Sequence, residues 1–266
     1  MNDMKITAIA NCGLLIESME TKLLIDGIYD LENIKKMDIK AAQPDDLFSA
    51  VSDEVMERII NGTGEMRGVE FLLFTHCHAD HFDADKTMEC MKHNSIESIL
   101  LPSDRSLGAL SLKEYAEDAG TGLIEMDLPF GVMEEYILKD VHVRAFKTRH
   151  YGNEFSFEPH YCFLISSGCE TVYISGDADF IDGYQQTMLS GETIDIGFFN
   201  PLHVAYREGR NLISHIHIKK IVIYHVPFEK DDRHGFRQIS CRNLIRYSES
   251  LPAYEIISEE LQKINF

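Results

Sequence analysis

Three histidines and an aspartate fall within six residues of this chain, His76, His78, Asp80 and His81, in the run FLLFTHCHADHFD from Phe71 to Asp83. Imidazole and carboxylate are the side chains that suit divalent transition metals, and neutral imidazole binds through one ring nitrogen. In an extended turn His76 and His78 share a face, because side chains two apart point the same way. Asp80 and His81 come round the bend, where they can face a second ion beside the first. A solvated polar loop gives no reason for three imidazoles set directly behind an apolar run. That run, Phe71-Leu72-Leu73-Phe74, is too short for a helix of its own and reads as a buried strand. By residue type and spacing this is a metal site. Cys77 sits between two of the histidines, but alternation turns it to the other side, where it packs.

A hydrophobic strand followed by His-x-His-x-Asp-His resembles the signature of the metallo-β-lactamase superfamily of metallohydrolases. The resemblance implies an α/β fold, a four-layer αβ/βα sandwich, with further ligands far along the chain. Asp26, closing Leu23-Leu24-Ile25, matches the family's first motif, in which an acidic residue supports the histidine loop without ligating metal. On spacing alone it is equally a turn aspartate before Gly27. His150 matches the third motif, at the end of the strand pattern that closes in Lys147-Thr148-Arg149. His142 lies mid-strand, and His160, after Glu158-Pro159, reads as a loop residue near the mouth of the site. Asp177, in Ser-Gly-Asp behind an apolar strand, matches the fourth motif, whose carboxylate bridges two metals, with Asp179 as the alternative. His225, after Ile221-Val222-Ile223-Tyr224, matches the fifth. The implied centre has His76, His78 and His150 on one ion, Asp80, His81 and His225 on the other, and Asp177 shared. His203, beyond the strand Ile194 to Phe199, is a candidate support or substrate contact, whereas His215 and His217 fit a solvated role.

Two divalent ions about 3.5–4 Å apart can trap a hydroxide between them, polarise the bond under attack and bring the pKa of bound water to about 7. Asp80 can also receive a proton as the leaving group departs. A set dominated by histidine favours zinc, with manganese and iron left open by ligand type. Among family members the chain resembles the cytoplasmic branch that includes ascorbate-6-phosphate lactonase. That implies hydrolysis of an ester, lactone or phosphoester in a small anionic substrate. Arg149, Arg207, Arg210 and Arg233 are candidate holders of its charge. Two other classes stand beside this one: an iron-dependent redox enzyme with a partner electron carrier, and a non-catalytic metal-binding protein, which would predict missing ligands.

The elements that must position these groups are visible as pattern. Lys5 to Ala10, Gly13 to Glu17 and Lys22 to Asp26 read as three strands. Leu31 to Gly68 reads as a helical insertion, with Asp45 and Asp46 as caps and an apolar stripe of Leu47, Val51, Val55 and Ile59 beside Phe48, Met56 and Ile60. So wide a stripe suggests a cap beside the site or a contact between copies of the chain in a homo-oligomer. Helices are expected over Asp83 to Asn94 and Ser106 to Ala119, with strands at Ser98 to Leu101 and Leu123 to Met126. A strand set follows from Ile137 to Thr148, then a hairpin of Tyr161 to Ile165 with Thr171 to Ser175, a surface helix from Phe236 to Ser250 and a last strand at Tyr254 to Ile257. With 266 residues, 44% of them hydrophobic, the chain is read as one domain with a substantial core. A net charge of -19 argues against a nucleic-acid surface. Six cysteines without close pairing do not make a disulfide framework. The opening residues lack a signal-peptide core and no apolar run reaches membrane-spanning length, so a cytoplasmic protein with no membrane partner is expected.

Overall fold

The structure, a computed structural model, describes residues 4–35, 48–181 and 183–266. Its strands form two seven-stranded sheets built on one plan. In the first, β1 (Lys5–Ala8), β2 (Leu14–Glu17) and β3 (Lys22–Ile25) make an antiparallel meander. The strands β4 (Phe71–Leu73), β5 (Ser98–Pro102) and β6 (Gly122–Met126) extend it in parallel. In the second, β7 (Met133–Leu138), β8 (Val141–Thr148), β9 (His160–Ser167) and β10 (Glu170–Ile174) are antiparallel. There β11 (Thr193–Phe199), β12 (His217–Ile223) and β13 (Ala253–Ile256) supply the parallel part. A short β14 (Lys263–Ile264) returns to the first sheet and sets Ile264 opposite Ile6 of β1. The strand expected to be last is therefore last but one.

Helices fill the crossovers. Between β3 and β4 lie α1 (Leu31–Ile34) and α2 (Asp53–Asn61), followed by α3 (Ala84–His93) and α4 (Leu107–Ala119). The second half carries α5 (Tyr184–Met188), α6 (Leu202–Ala205), α7 (Arg207–His215) and α8 (Phe236–Tyr247). The residues read as starting two of these helices act as their caps: Asp83 accepts from the Lys86 N–H, and Ser106 from the Ala109 N–H. Gly120 ends α4 in the left-handed conformation.

The inner strands of both sheets are buried on both faces. Along β9, Tyr161, Phe163 and Ile165 join the core between the sheets, while Cys162 and Leu164 pack under α6, α7 and α8. The helices α2, α3 and α4 cover the first sheet with Val55, Ile59, Met91 and Leu112. The order is helix, sheet, sheet, helix. Each buried aliphatic side chain contributes roughly 1.5–3 kcal/mol, and a one-residue slip of β9 would exchange its residues between two differently shaped cores. No helix among the described residues is long and apolar enough to cross a membrane.

The region between β3 and β4 departs from expectation. Asp45, Asp46 and Leu47 lie outside the described residues. The helix starts later, at Asp53, with Ser52 as its cap, so Val51 precedes it. Its stripe of Val55, Met56 and Ile59 is spent on the chain's own core, with Phe48 and Ile60 beside it. That face is therefore not free to meet a second copy.

Candidate metal centre

The histidine loop begins where β4 runs out of the core and is braced from the neighbouring strand. Asp26 follows β3 with a left-handed φ of 48°. Its Oδ1 accepts the Thr75 N–H at 2.8 Å and its Oδ2 the Thr75 hydroxyl at 2.6 Å. Since that hydroxyl spends its one proton on Asp26, it accepts from His76 Nδ1, 3.0 Å away. Nε2 of His76 is then left with a bare lone pair. Asp26 Oδ2 also lies 3.1 Å from His81 Nδ1. Through Thr75 the buried carboxylate fixes the tautomer of His76, which is how outer residues orient metal-binding imidazoles, while His81 Nδ1 meets it as a charge partner without a hydrogen bond among the described residues. The bend itself closes through the His81 and Phe82 N–H groups on the His78 carbonyl.

The second sheet brings its residues one at a time. His150, just past β8, donates Nδ1–H to the Tyr151 carbonyl at 2.7 Å, so its Nε2 is bare as well. Asp177 follows β10, and its carbonyl accepts the Tyr151 N–H. His225 follows β12 with a left-handed φ of 58°, its N–H held by the Asn11 carbonyl at 2.6 Å.

These residues meet in two groups, His76 with His78 and His150, and Asp80 with His81, Asp177 and His225, the donor atoms of each lying within 4.8 Å of one another. Asp177 Oδ2 faces both: it is 3.5 Å from His150 Nε2, 4.0 Å from His76 Nε2, 3.3 Å from His225 Nε2 and 3.6 Å from His81 Nε2. His225 Nε2 is 3.1 Å from both Asp80 Oδ2 and His81 Nε2. Donors about 2.0–2.1 Å from one tetrahedral ion stand roughly 3.3–3.4 Å apart, so this spacing fits a metal. His76 Nε2, His150 Nε2 and Asp80 Oδ1 are buried without a hydrogen-bond partner among the described residues. A cation would satisfy the two imidazole nitrogens.

Charge divides the groups. Burial holds His76 well below its ordinary pKa and, with His150 nearby, brings His78 down to about 4. His76 and His78 therefore stay neutral and offer lone pairs. Burial also opposes charge on His225, but the Asp177 and Asp80 carboxylates outweigh it and push its pKa up to about 9. Against its own burial, Asp177 is kept well below the usual range by His225, His150 and His81. The carboxylate-bearing group demands positive charge.

Other sequence candidates fall elsewhere. Asp179 turns its carboxylate to the Ile181 N–H and belongs to neither group. His160 is not a mouth loop residue: it opens β9, fully buried, and its Nε2 accepts the Asp177 N–H. His203 is fully buried against Phe180 and Phe199 and has no face for substrate. His142 pairs with Glu135 on the exposed side of β8. Arg210 is committed to the Val204 and Ala205 carbonyls and lies 3.7 Å over the Tyr247 ring, so it cannot hold an anion at the site. Arg207 reaches Glu208. Arg149 is exposed, with its carbonyl on the Asp179 N–H, and Arg233 is exposed in the loop before α8. Cys77 packs against the larger of the two core clusters and joins neither group.

Sequence reading missed several supports. Thr75 relays Asp26 to His76. Cys12 donates its thiol to the Asp80 carbonyl at 2.9 Å, and burial pushes its pKa up to about 12, so it keeps that proton. Phe155 sets its ring edge-on to His78 and His150, 5.0 Å from each, and Phe48 meets His225 at 5.0 Å. Nothing in a linear pattern shows that the Asn-Cys-Gly turn after β1 touches Asp80 and His225.

Among solved structures, YhfI from Bacillus subtilis, a metallo-β-lactamase fold protein, superposes with a TM-score of 0.55 at 14% identity, over 98% of this chain and 99% of its own. This chain has the metallo-β-lactamase fold. Igni18, a metallo hydrolase from Ignicoccus hospitalis, shares that fold with a TM-score of 0.56 at 11% identity, over 99% of this chain and 98% of its own. So does CmlA, a diiron β-hydroxylase from Streptomyces venezuelae, with a TM-score of 0.67 at 13% identity. All of this chain is covered in that superposition, but it spans only 55% of CmlA. No protein-family profile and no curated protein matches the sequence. On this metallo-β-lactamase fold the two His/Asp groups suggest a dinuclear metal centre.

Proposed function

We propose that the chain is a dinuclear metal-dependent hydrolase acting on an ester, lactone or phosphoester bond of a small anionic substrate. The observation that carries this reading is Asp177 Oδ2, which faces ring nitrogens of both groups within 4.0 Å. His76, His78 and His150 would hold one ion, and Asp80, His81 and His225 the other, with Asp177 shared. When bound, two divalent ions supply an acidified water and electrophilic polarisation of the scissile bond at neutral pH. The chain's own residues do the rest. Asp26, through Thr75, keeps the His76 lone pair turned inward and lies beside His81 as its charge partner. Asp80 turns Oδ2 to His225 and leaves Oδ1 without a hydrogen bond, where it can take the proton that the leaving group requires. Phe155 shields His78 and His150 from water. Arg149 or Arg233 would meet the negative charge of the substrate. Zinc suits the histidine-rich set, and the cytoplasmic ascorbate-6-phosphate lactonase-like branch supplies the working substrate class.

An iron-dependent redox enzyme is the second reading, favoured by the likeness to a diiron β-hydroxylase. One experiment separates the two. Protein grown with zinc, manganese and iron is analysed for bound metal, then given lactones, thioesters and phosphodiesters, with oxygen uptake followed in parallel. Hydrolysis lost on chelation and restored by zinc is expected. Iron-dependent oxygen uptake without hydrolysis would establish the second reading, and a chain that retains no metal would end both.

A further inference from the structure

His160 belongs to neither group yet touches the residues that carry both. Its Nε2 accepts the Asp177 N–H at 2.9 Å, and its Nδ1 lies 2.7 Å from Thr148 Oγ1. A backbone amide can only donate, so Nε2 is the bare nitrogen and Nδ1 carries the proton towards Thr148. Thr148 stands two residues before His150 at the end of β8, and Asp177 follows β10. One imidazole therefore joins the two strand ends that present His150 and Asp177. Its ring also lies against His76 and His150, with centroids 5.1 and 5.7 Å away. The next residue, Tyr161, donates its N–H to the Thr75 carbonyl in the histidine loop. Gly176 shows how closely this is fitted. It has a left-handed φ of 53°, and a Cβ there would stand 2.6 Å from His160 Nε2 and 3.0 Å from Thr75 Cβ. Only glycine lets the Asp177 amide come this close to the ring.

We propose that His160 is a positioning residue that aims the Asp177 carboxylate between the two groups, with Thr148 fixing the imidazole tautomer that accepts the Asp177 amide. In the other tautomer an N–H would face the Asp177 N–H and drive the segment away. The inference rests on the metal-centre reading above and assigns to His160 no contact with substrate.

The test compares the full-length wild type with H160Q, H160F, T148V and T148S, each stripped and reloaded with zinc. The readouts are zinc affinity by chelator competition, the visible spectrum of the cobalt(II) form, and the denaturation midpoint of the metal-free chain. Gln can place an oxygen where Nε2 stands, whereas Phe fills the space and accepts nothing. H160F is expected to weaken zinc binding about 10–100-fold, the range for lost outer supports, and to shift the cobalt spectrum. H160Q should keep wild-type affinity, T148V should fall with H160F, and T148S should recover. Wild-type zinc affinity and cobalt spectrum in both H160F and T148V would overturn the proposal while leaving the metal centre standing. H160Q failing as badly as H160F, with the metal-free chain destabilised to match, would make His160 a packing residue. Should H160F not fold, T148V against T148S decides alone. A wild type that binds neither zinc nor cobalt would defeat the metal-centre reading itself, and this one with it.

Discussion

In the first sheet, the loop after the first parallel strand, β4, delivers His76, His78, Asp80 and His81 together. The corresponding loop of the second sheet follows β11 and reads Asn200-Pro201-Leu202-His203. It turns inward instead: Asn200 Oδ1 takes the Leu202 N–H and faces His203 Nδ1 at 3.1 Å, and His203 Nε2 meets Gln185 in the core. The second sheet contributes through the ends of β8, β10 and β12, one residue each. Two ways of building one centre follow. A contiguous loop gives four donors from a single bend but needs a common brace, and Asp26 is that brace. Donors from separate strand ends are placed by sheet packing, and each has its own local hold: the Tyr151 carbonyl for His150, His160 for Asp177, the Asn11 carbonyl for His225.

Replacing the group common to both halves should do the most damage. Asp177→Asn is expected to cut zinc from near two ions per chain and to lower hydrolysis on the order of 10²–10³-fold or more. Elemental analysis beside a rate assay measures it, and unchanged metal content would remove Asp177 from the shared position. Next comes the brace. Asp26→Asn should weaken zinc binding about 10–100-fold, because it acts on His76 and His81 at once. If chelator competition shows the loss confined to one ion, the loop does not depend on a common support.

The smallest effect tests the inward-turned loop. Burial holds the pKa of His203 down to about 3, whereas the same side chain in an unfolded chain titrates near 6.5. The unfolded state therefore takes up the proton first. His203's contribution is complete above about pH 6.5 and is lost as the pH falls from there towards 3, by up to about 1.4 kcal/mol per pH unit. His203→Gln should flatten the dependence of the urea midpoint between pH 6 and 4 and leave zinc affinity unchanged. An equal slope in both proteins would place the acid sensitivity elsewhere, and lost zinc would mean that this loop does serve the centre.

The same contrast explains what could be read from the sequence. The histidine loop was legible because its donors are contiguous and follow an apolar strand. His150, Asp177 and His225 were found through family resemblance, since a single residue at a strand end carries no spacing signal. His160 reads as loop because Glu158-Pro159 precedes it, and only its register opposite Thr148 of β8 places it in β9. Acidic residues at 45 and 46 resemble caps in the sequence, but Ser52 caps α2. Polar Glu134 and Glu135 hid most of β7, an edge strand where charge is tolerated. At two residues, β14 is too short to leave a pattern.

Asp26 and His225 share a trait with a practical edge. Both hold left-handed backbones, with φ of 48° and 58°, that cost an ordinary L-residue roughly 1–2 kcal/mol. A directed-evolution campaign selecting only for heat resistance would be drawn to glycine at 225, where relief of that conformation is immediate, whereas glycine at 26 would also strand the Thr75 amide and hydroxyl. The winners would melt later and bind metal poorly. Any thermostabilisation of this scaffold should freeze those two positions before the first round.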